Sequence, residues 1–103
     1  MSRIIKISNV FTRGAVMTPE DYEALYDDME EELTRIGNLE RLKIIRNGEE
    51  RIGCEVGSVF VEFRERKSAE NAVRTISGRV YDGNEIKIIY VDEDLYYTEL
   101  RMI

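Results

Sequence analysis

The order in which hydrophobic periodicities follow one another most limits what this chain can become. Ile4 to Val10 carries the two-residue alternation of a strand, with Ile5 and Ile7 on one face. After a loop through Phe11, Gly14 and Met17, apolar residues recur at helical spacing: Tyr22, Leu25, Tyr26, Met29, Leu33 and Ile36. Leu39 to Arg46 and Val56 to Phe63 return to strand character. In the second of these Val59, Val61 and Phe63 share a face and Phe60 takes the other. A shorter helical run carries Ala69, Ala72, Val73 and Ile76, and Glu85 to Val91 closes the pattern as a strand. The order βαββαβ predicts a ferredoxin-like α+β sandwich.

The punctuation between these segments supports that reading. Thr18-Pro19-Glu20-Asp21 is a helix start, with Thr18 as N-cap, Pro19 in the first turn and Asp21 closing a capping box. Gly37-Asn38 ends the first helix, Asn47-Gly48 opens a polar turn, Ser68 is the expected cap of the second helix and Gly78 its terminator. Asp92-Glu93-Asp94 opens a third helix running to Leu100. Its Leu95, Tyr96 and Leu100 are expected to fold over the sheet and cover Phe60. At 103 residues this is one domain, residues 1–103, plausibly excised from a longer protein. The chain has no run of eighteen apolar residues, and its N-terminus lacks the apolar segment of a signal peptide. Cys54 is the sole cysteine, which excludes an internal disulfide and a cysteine metal cluster and suits a reducing compartment.

Charge is unevenly placed. The net charge is −6, yet Glu20, Asp21, Glu23, Asp27, Asp28, Glu30, Glu31 and Glu32 all sit on the first helix, opposed there only by Arg35. Such a face repels phosphate backbones and attracts basic peptides. At 100° per residue Asp21, Asp28 and Glu32 line one flank, Glu23 and Glu30 the other, and Glu20, Asp27 and Glu31 point outward. Asp28 and Glu32 are like-charged neighbours four residues apart, which costs a few tenths of a kcal/mol (~0.3) without a nearby cation. Arg79, just after Gly78, is the candidate cation, with a planar fork suited to the Glu32 carboxylate. An enzyme is not expected. The chain has no histidine, no phosphate-binding loop and no thiol–base pair around Cys54, and two carboxylates on a helix flank make an incomplete metal site. No cofactor is expected either.

Val56-Gly57-Ser58-Val59-Phe60-Val61-Glu62-Phe63 and Ile5-Lys6-Ile7-Ser8-Asn9-Val10 resemble the third- and first-strand signatures of RNA-recognition motifs. In that family aromatics on these strands stack on unpaired bases. Here Lys6 and Ser58 occupy two of those positions and only Phe60 is aromatic. Those substitutions, the acidic first helix with Asp28 and Glu32, Gly78-Arg79-Val80-Tyr81 and the aspartate-rich start of the third helix together resemble the U2 auxiliary factor homology motif. This is a peptide-binding offshoot of the RNA-recognition motif, and within it the likeness is to the C-terminal domains of the splicing factor's large subunits. The resemblance spans nearly the whole chain.

The resemblance implies a ligand in which basic residues precede one tryptophan. The tryptophan would enter between the two long helices and stack on Tyr81, with the Arg79–Glu32 pair over its other side. Val80 completes the loop. Asp28, with Glu32 and Asp21, would receive the basic residues, and Leu25, Met29 and Val73 would form pocket walls. Implied partners are the branch-point-binding protein and the large subunit of splicing factor three b, met in the nucleus during 3′ splice-site recognition, with weak or no direct RNA binding and no membrane. The chain departs from the family pattern at Tyr81, usually phenylalanine, and at Val80, where relatives often carry a polar or aromatic residue. The alternatives are a degenerate RNA-recognition motif binding single-stranded RNA through Lys6 and Phe60, and self-association through the same pocket.

Overall fold

A computed structural model of the chain describes residues 2–10, 17–81 and 83–101. The loop expected through Phe11 and Gly14 lies outside them. Helix α1 spans Pro19–Thr34 and starts as its sequence predicts. The Asp21 amide donates to Thr18 Oγ1 (3.2 Å) and the Thr18 amide donates to the Asp21 carboxylate (2.9 Å). Two donors of the first turn are thus satisfied reciprocally. The helix buries Tyr22, Leu25, Met29 and Leu33.

Strands β1 (Ile4–Ser8), β2 (Leu39–Ile44), β3 (Val59–Phe63) and β6 (Lys87–Val91) form one antiparallel sheet in the order β2-β3-β1-β6. Helix α2 (Arg66–Ile76) follows β3. Between α2 and β6 lies a small hairpin of β4 (Val80–Tyr81) and β5 (Asn84–Glu85). This is the ferredoxin-like α+β fold that the periodicity predicts. All four strands of this sheet are shorter than expected: β2 ends at Ile44 rather than Arg46, and the other three are cut short for local reasons. β1 stops before Asn9, whose φ of 65° is left-handed. β3 starts after a turn in which Gly57 takes φ 89°. Glu85 is absorbed into the hairpin, pairing with Val80, so β6 begins at Lys87.

Ser68 does not cap α2. Glu65 holds that position without a side-chain cap bond, and Ser68 is a buried residue inside the first turn. Its environment explains Gly37 as well. A Cβ on Gly37 would lie 2.1 Å from Ser68 Oγ, so glycine stands there to let α2 approach, while α1 has already ended at its Arg35 C-cap.

The sheet is covered on both faces. On the helix side Ile5, Ile7, Val59, Val61 and Phe63 pack against α1 and α2 in the larger core. On the outer side Ile4, Ile45, Cys54, Phe60, Val91 and Tyr96 form a second, smaller core. Helix α3 (Glu93–Leu95), capped by Asp92, runs on as a π-helical turn over Tyr96–Leu100. It lays Tyr96, 1% exposed, against Phe60, 3% exposed, with ring centroids 6.4 Å apart. Leu95, expected in this contact, is exposed; the turn points Tyr96 and Leu100 at the sheet instead.

Polar contacts hold the cover down. The buried Glu62 carboxylate accepts from the Tyr97 hydroxyl (2.9 Å) and Arg101 Nε (3.0 Å), and Glu93 accepts from Arg3 Nε (3.0 Å). The turn carrying Cys54 closes from the other side: Lys6 Nζ donates to the Gly53 carbonyl (2.9 Å) and to Glu55 (2.8 Å). Cys54 is buried, and burial pushes its thiol pKa up.

These contacts set an acid limit. The Lys6 hydrogen bond holds Glu55 below the usual carboxylate range, the Lys43 hydrogen bond does the same for Glu49, and the Thr18 backbone amide does so for Asp21. A carboxyl with a depressed folded-state pKa stabilises the fold above its unfolded value and loses that contribution as pH falls through the folded one. The thermal midpoint is therefore expected to hold between about pH 7 and 5 and to fall from about pH 4 downward. A midpoint at pH 3 equal to that at pH 6, by calorimetry, would contradict this assignment.

Candidate functional site

Helix α1 carries Asp28, Met29, Glu31, Glu32 and Arg35 past the end of α2 and the β4–β5 hairpin. Between them opens a cleft of about 350 Å³, completed by Ile76, Arg79, Tyr81 and Ile86. Its apolar surface comes from Met29, Ile76 and Ile86. Gly78, with φ 84°, turns the chain out of α2. The Arg79 amide then donates to the Ile76 carbonyl (3.0 Å), which directs the hairpin back across α1.

Three polar pairs frame the cleft. Arg79 Nη1 donates to Glu32 Oε1 at 3.0 Å, Arg35 Nη2 donates to Glu31 Oε1 at 2.7 Å, and the Tyr81 hydroxyl donates to Asp28 Oδ2 at 3.4 Å. The Arg79–Glu32 side chains are 53% and 42% exposed, so this pair contributes little to stability; its value lies in orienting a flat guanidinium. Asp28 meets no cation among the described residues. Three carboxylates against two guanidiniums leave the rim acidic, with one carboxylate still open to an incoming positive charge.

The structure brings Asp28, Met29, Glu32, Arg79 and Tyr81 together and leaves four other predicted residues elsewhere. Asp21 is occupied by the capping box. Leu25 is buried within the larger core and is not among the residues lining the cleft. Val73 packs against that core without reaching the cleft lining. Val80 is 70% exposed and turned away, because neighbours in a strand point to opposite faces and Tyr81 takes the inner one. Sequence reasoning missed Ile76, Ile86, Arg35 and the inward role of Glu31. The four-residue spacing of Glu31 and Arg35 was a usable signal for that pair. Ile76 and Ile86 become wall residues only once the hairpin folds beside α1.

Another depression, of about 480 Å³, lies where Ser2, Arg66, Tyr90 and Glu93 meet. Glu93 there is already engaged by Arg3 and Arg66, which fills the role a ligand would take. On the outer sheet face the residues of the RNA alternative are likewise committed, Lys6 to Gly53 and Glu55 and Phe60 to Tyr96.

A family profile described as the RNA recognition motif matches residues 21–87, well over half of the chain. The chain belongs to the RNA recognition motif family. Membership makes this domain a binding module rather than an enzyme. It is 29% identical over 96 residues to "Splicing factor U2AF 59 kDa subunit" of Schizosaccharomyces pombe, covering 92% of this chain and 19% of that protein. It is 28% identical over 99 residues to a U2af large-subunit splicing factor of Nicotiana plumbaginifolia, covering 93% of this chain and 17% of that protein. The domain thus spans under a fifth of the length of these relatives and resembles their C-terminal region, as expected of an RNA recognition motif of the U2 auxiliary factor homology type. Among solved structures, "Structure of Rna15 RRM with bound RNA (GU)" superposes with a TM-score of 0.62 at 22% identity, covering 100% of both chains. The RRM3 domain of Gbp2 superposes with a TM-score of 0.60 at 17% identity, covering 86% of this chain and 77% of that one. At these identities the superpositions speak for the fold. No described helix is long and apolar enough to cross a membrane.

Proposed function

We propose that this RNA recognition motif is a peptide-binding module of pre-mRNA splicing, acting in the nucleus. Its ligand is a short segment in which basic residues precede a single tryptophan, carried by splicing factors such as the branch-point-binding protein and the large subunit of splicing factor three b. The observation that carries this reading is the cleft. It sets the Tyr81 ring and the Arg79–Glu32 pair around Met29, Ile76 and Ile86, with the open Asp28 carboxylate at the rim. An indole offers a large flat apolar surface and is a frequent hot-spot anchor in such clefts. A guanidinium held flat by a carboxylate is suited to lie on its π face. The acidic helix draws in the ligand's lysines and arginines, raising on-rate and selectivity more than affinity.

The Tyr81 hydroxyl, a departure from the family's usual phenylalanine, finds a partner in Asp28. It therefore enters the cleft with its polar end satisfied. The similarity to U2AF large-subunit proteins supports the splicing setting. Single-stranded RNA binding through the outer sheet face has less support, because Lys6 and Phe60 are engaged internally.

Titration of the domain with a ten-residue Arg/Lys-rich peptide bearing one tryptophan tests the proposal. The chain has no tryptophan, so indole emission reports the peptide alone. Saturable binding at micromolar peptide, lost when the tryptophan becomes alanine, is expected. No saturation below about 1 mM, the range of unspecific contact, would sink it. A mass that rises with protein concentration and falls on adding peptide would assign the cleft to self-association instead.

A further inference from the structure

The cleft is gripped from two elements of unequal security. Helix α1 is anchored in the larger core by Tyr22, Leu25, Met29 and Leu33. The hairpin opposite has strands of only two residues each and leaves Val80 in solvent. A hairpin of that size is not stable alone and takes its orientation from what it is tied to. Its own closure comes from the Ile86 amide donating to the Arg79 carbonyl (2.8 Å) and the Gly78 amide donating to the Ile86 carbonyl (3.1 Å). Tyr81 and Ile86 pack on the larger core through apolar contact, which is non-directional. The Arg79–Glu32 and Tyr81–Asp28 contacts do face α1, yet they belong to the proposed binding surface and are largely exposed.

A polar tie reaches the hairpin from the end of β1. Asn9 Nδ2 donates to the Glu85 carbonyl at 2.7 Å, and Glu85 is the residue paired with Val80. Among the described residues Asn9 is also the only non-glycine with a positive φ, 65°. Asparagine tolerates that conformation far better than most residues, and here it turns the amide off the end of β1 toward β5. Asn9 does not line the cleft.

We propose that Asn9 is a positioning residue of the cleft: its side-chain amide fixes the hairpin relative to the sheet so that Arg79 and Tyr81 reach Glu32 and Asp28. This deepens, and rests on, the peptide-binding reading. Asn9→Gly keeps the left-handed backbone without steric cost and removes the donor, so it separates the hydrogen bond from the turn. Asn9→Asp keeps the size but sets a carboxylate against a carbonyl oxygen.

Amide hydrogen exchange and peptide titration, run on the wild type and both variants, test the proposal. In Asn9→Gly the amides of residues 79–86 are expected to exchange several-fold faster while those of α1 and β3 keep their rates. Peptide affinity is expected to weaken about 5-fold, the worth of one hydrogen bond, and further in Asn9→Asp. Unchanged hairpin exchange overturns the proposal. So does acceleration spread evenly over the sheet, and so does a loosened hairpin that binds peptide as tightly as before. A wild-type domain that ignores the peptide refutes the peptide reading, and with it Asn9's role in binding. The exchange rates still decide whether Asn9 holds the hairpin.

Discussion

Glu32→Lys is expected to weaken capture of a tryptophan-bearing basic peptide by at least about 30-fold, the equivalent of one hot-spot side chain contributing ~2 kcal/mol. Three losses coincide. The Arg79 guanidinium, now held 3.0 Å from Glu32, is left facing a like charge and swings away from the cleft. The indole loses the flat cation that would cover one of its faces. The ligand's own basic residues then meet a lysine where they had met a carboxylate, and such a repulsive element discriminates more sharply than a missing attractive one. Glu32→Gln removes the charge and keeps the shape, so a several-fold loss is expected there. Tyr81→Ala, which takes away the opposite wall, is expected to match the lysine variant. Because Glu32 and Arg79 are both about half exposed, the two Glu32 changes should not move the thermal midpoint by more than a few degrees. Isothermal titration with parallel melting curves checks both. Wild-type affinity in Glu32→Lys would remove Arg79 and Glu32 from the site. A collapse of the melting curve would mean that the pair supports the fold instead.

Tyr96→Ala is expected to be among the most destabilising single changes in the molecule, costing about 3–5 kcal/mol, the range for truncating a large buried aromatic. Tyr96 is 1% exposed, packs on Phe60 and belongs to the same small core as Ile4, Ile45, Cys54 and Val91. Without the ring, the turn from Tyr96 to Leu100 keeps only the packing of Leu100 and its polar ties through Glu62 and Glu93. Chemical denaturation measures the loss. The cleft lies on the helix side of the sheet, so peptide affinity measured well below the melting temperature is expected to stay within about twofold. A change under about 1 kcal/mol would mean that the outer cover packs far more loosely than its contacts imply. The same variant bears on the RNA alternative: Phe60 becomes accessible, and gain of single-stranded RNA binding in Tyr96→Ala alone would identify the cover as what suppresses it.

Charge, the start of the first helix and strand faces were legible because each is written locally. The capping box at Thr18 and Asp21 needs only four residues, and the split of Phe60 from Val59 and Val61 needs only the two-residue period of a strand. Ser68 misled because a serine before an apolar run reads as a cap, whereas its place is set by the close approach of Gly37, thirty-one residues earlier. Asp21 is the opposite case: its angle on the helix wheel suits a binding flank, while the Thr18 amide donates to its carboxylate.

The candidate site divides along the same line. Asp28, Glu32 and Arg79 were readable from the acidic helix and the loop after Gly78, since a helical flank and a turn follow from sequence spacing, whereas Tyr81 came from the family resemblance. Ile76 and Ile86 as apolar walls and Asn9 as a tie to Glu85 were not readable, and the i,i+4 spacing of Glu31 and Arg35 was a signal left unused. By itself the sequence determined the alternation of elements, the acidic face and which side of each strand is apolar, because those depend on dihedral preferences and residue period. Only the tertiary structure decided where the cleft opens and what encloses it, because a cavity is the space left between elements. That space depends on how closely α2 approaches α1 and how the hairpin tilts, which are set by contacts between residues up to 76 positions apart in the chain.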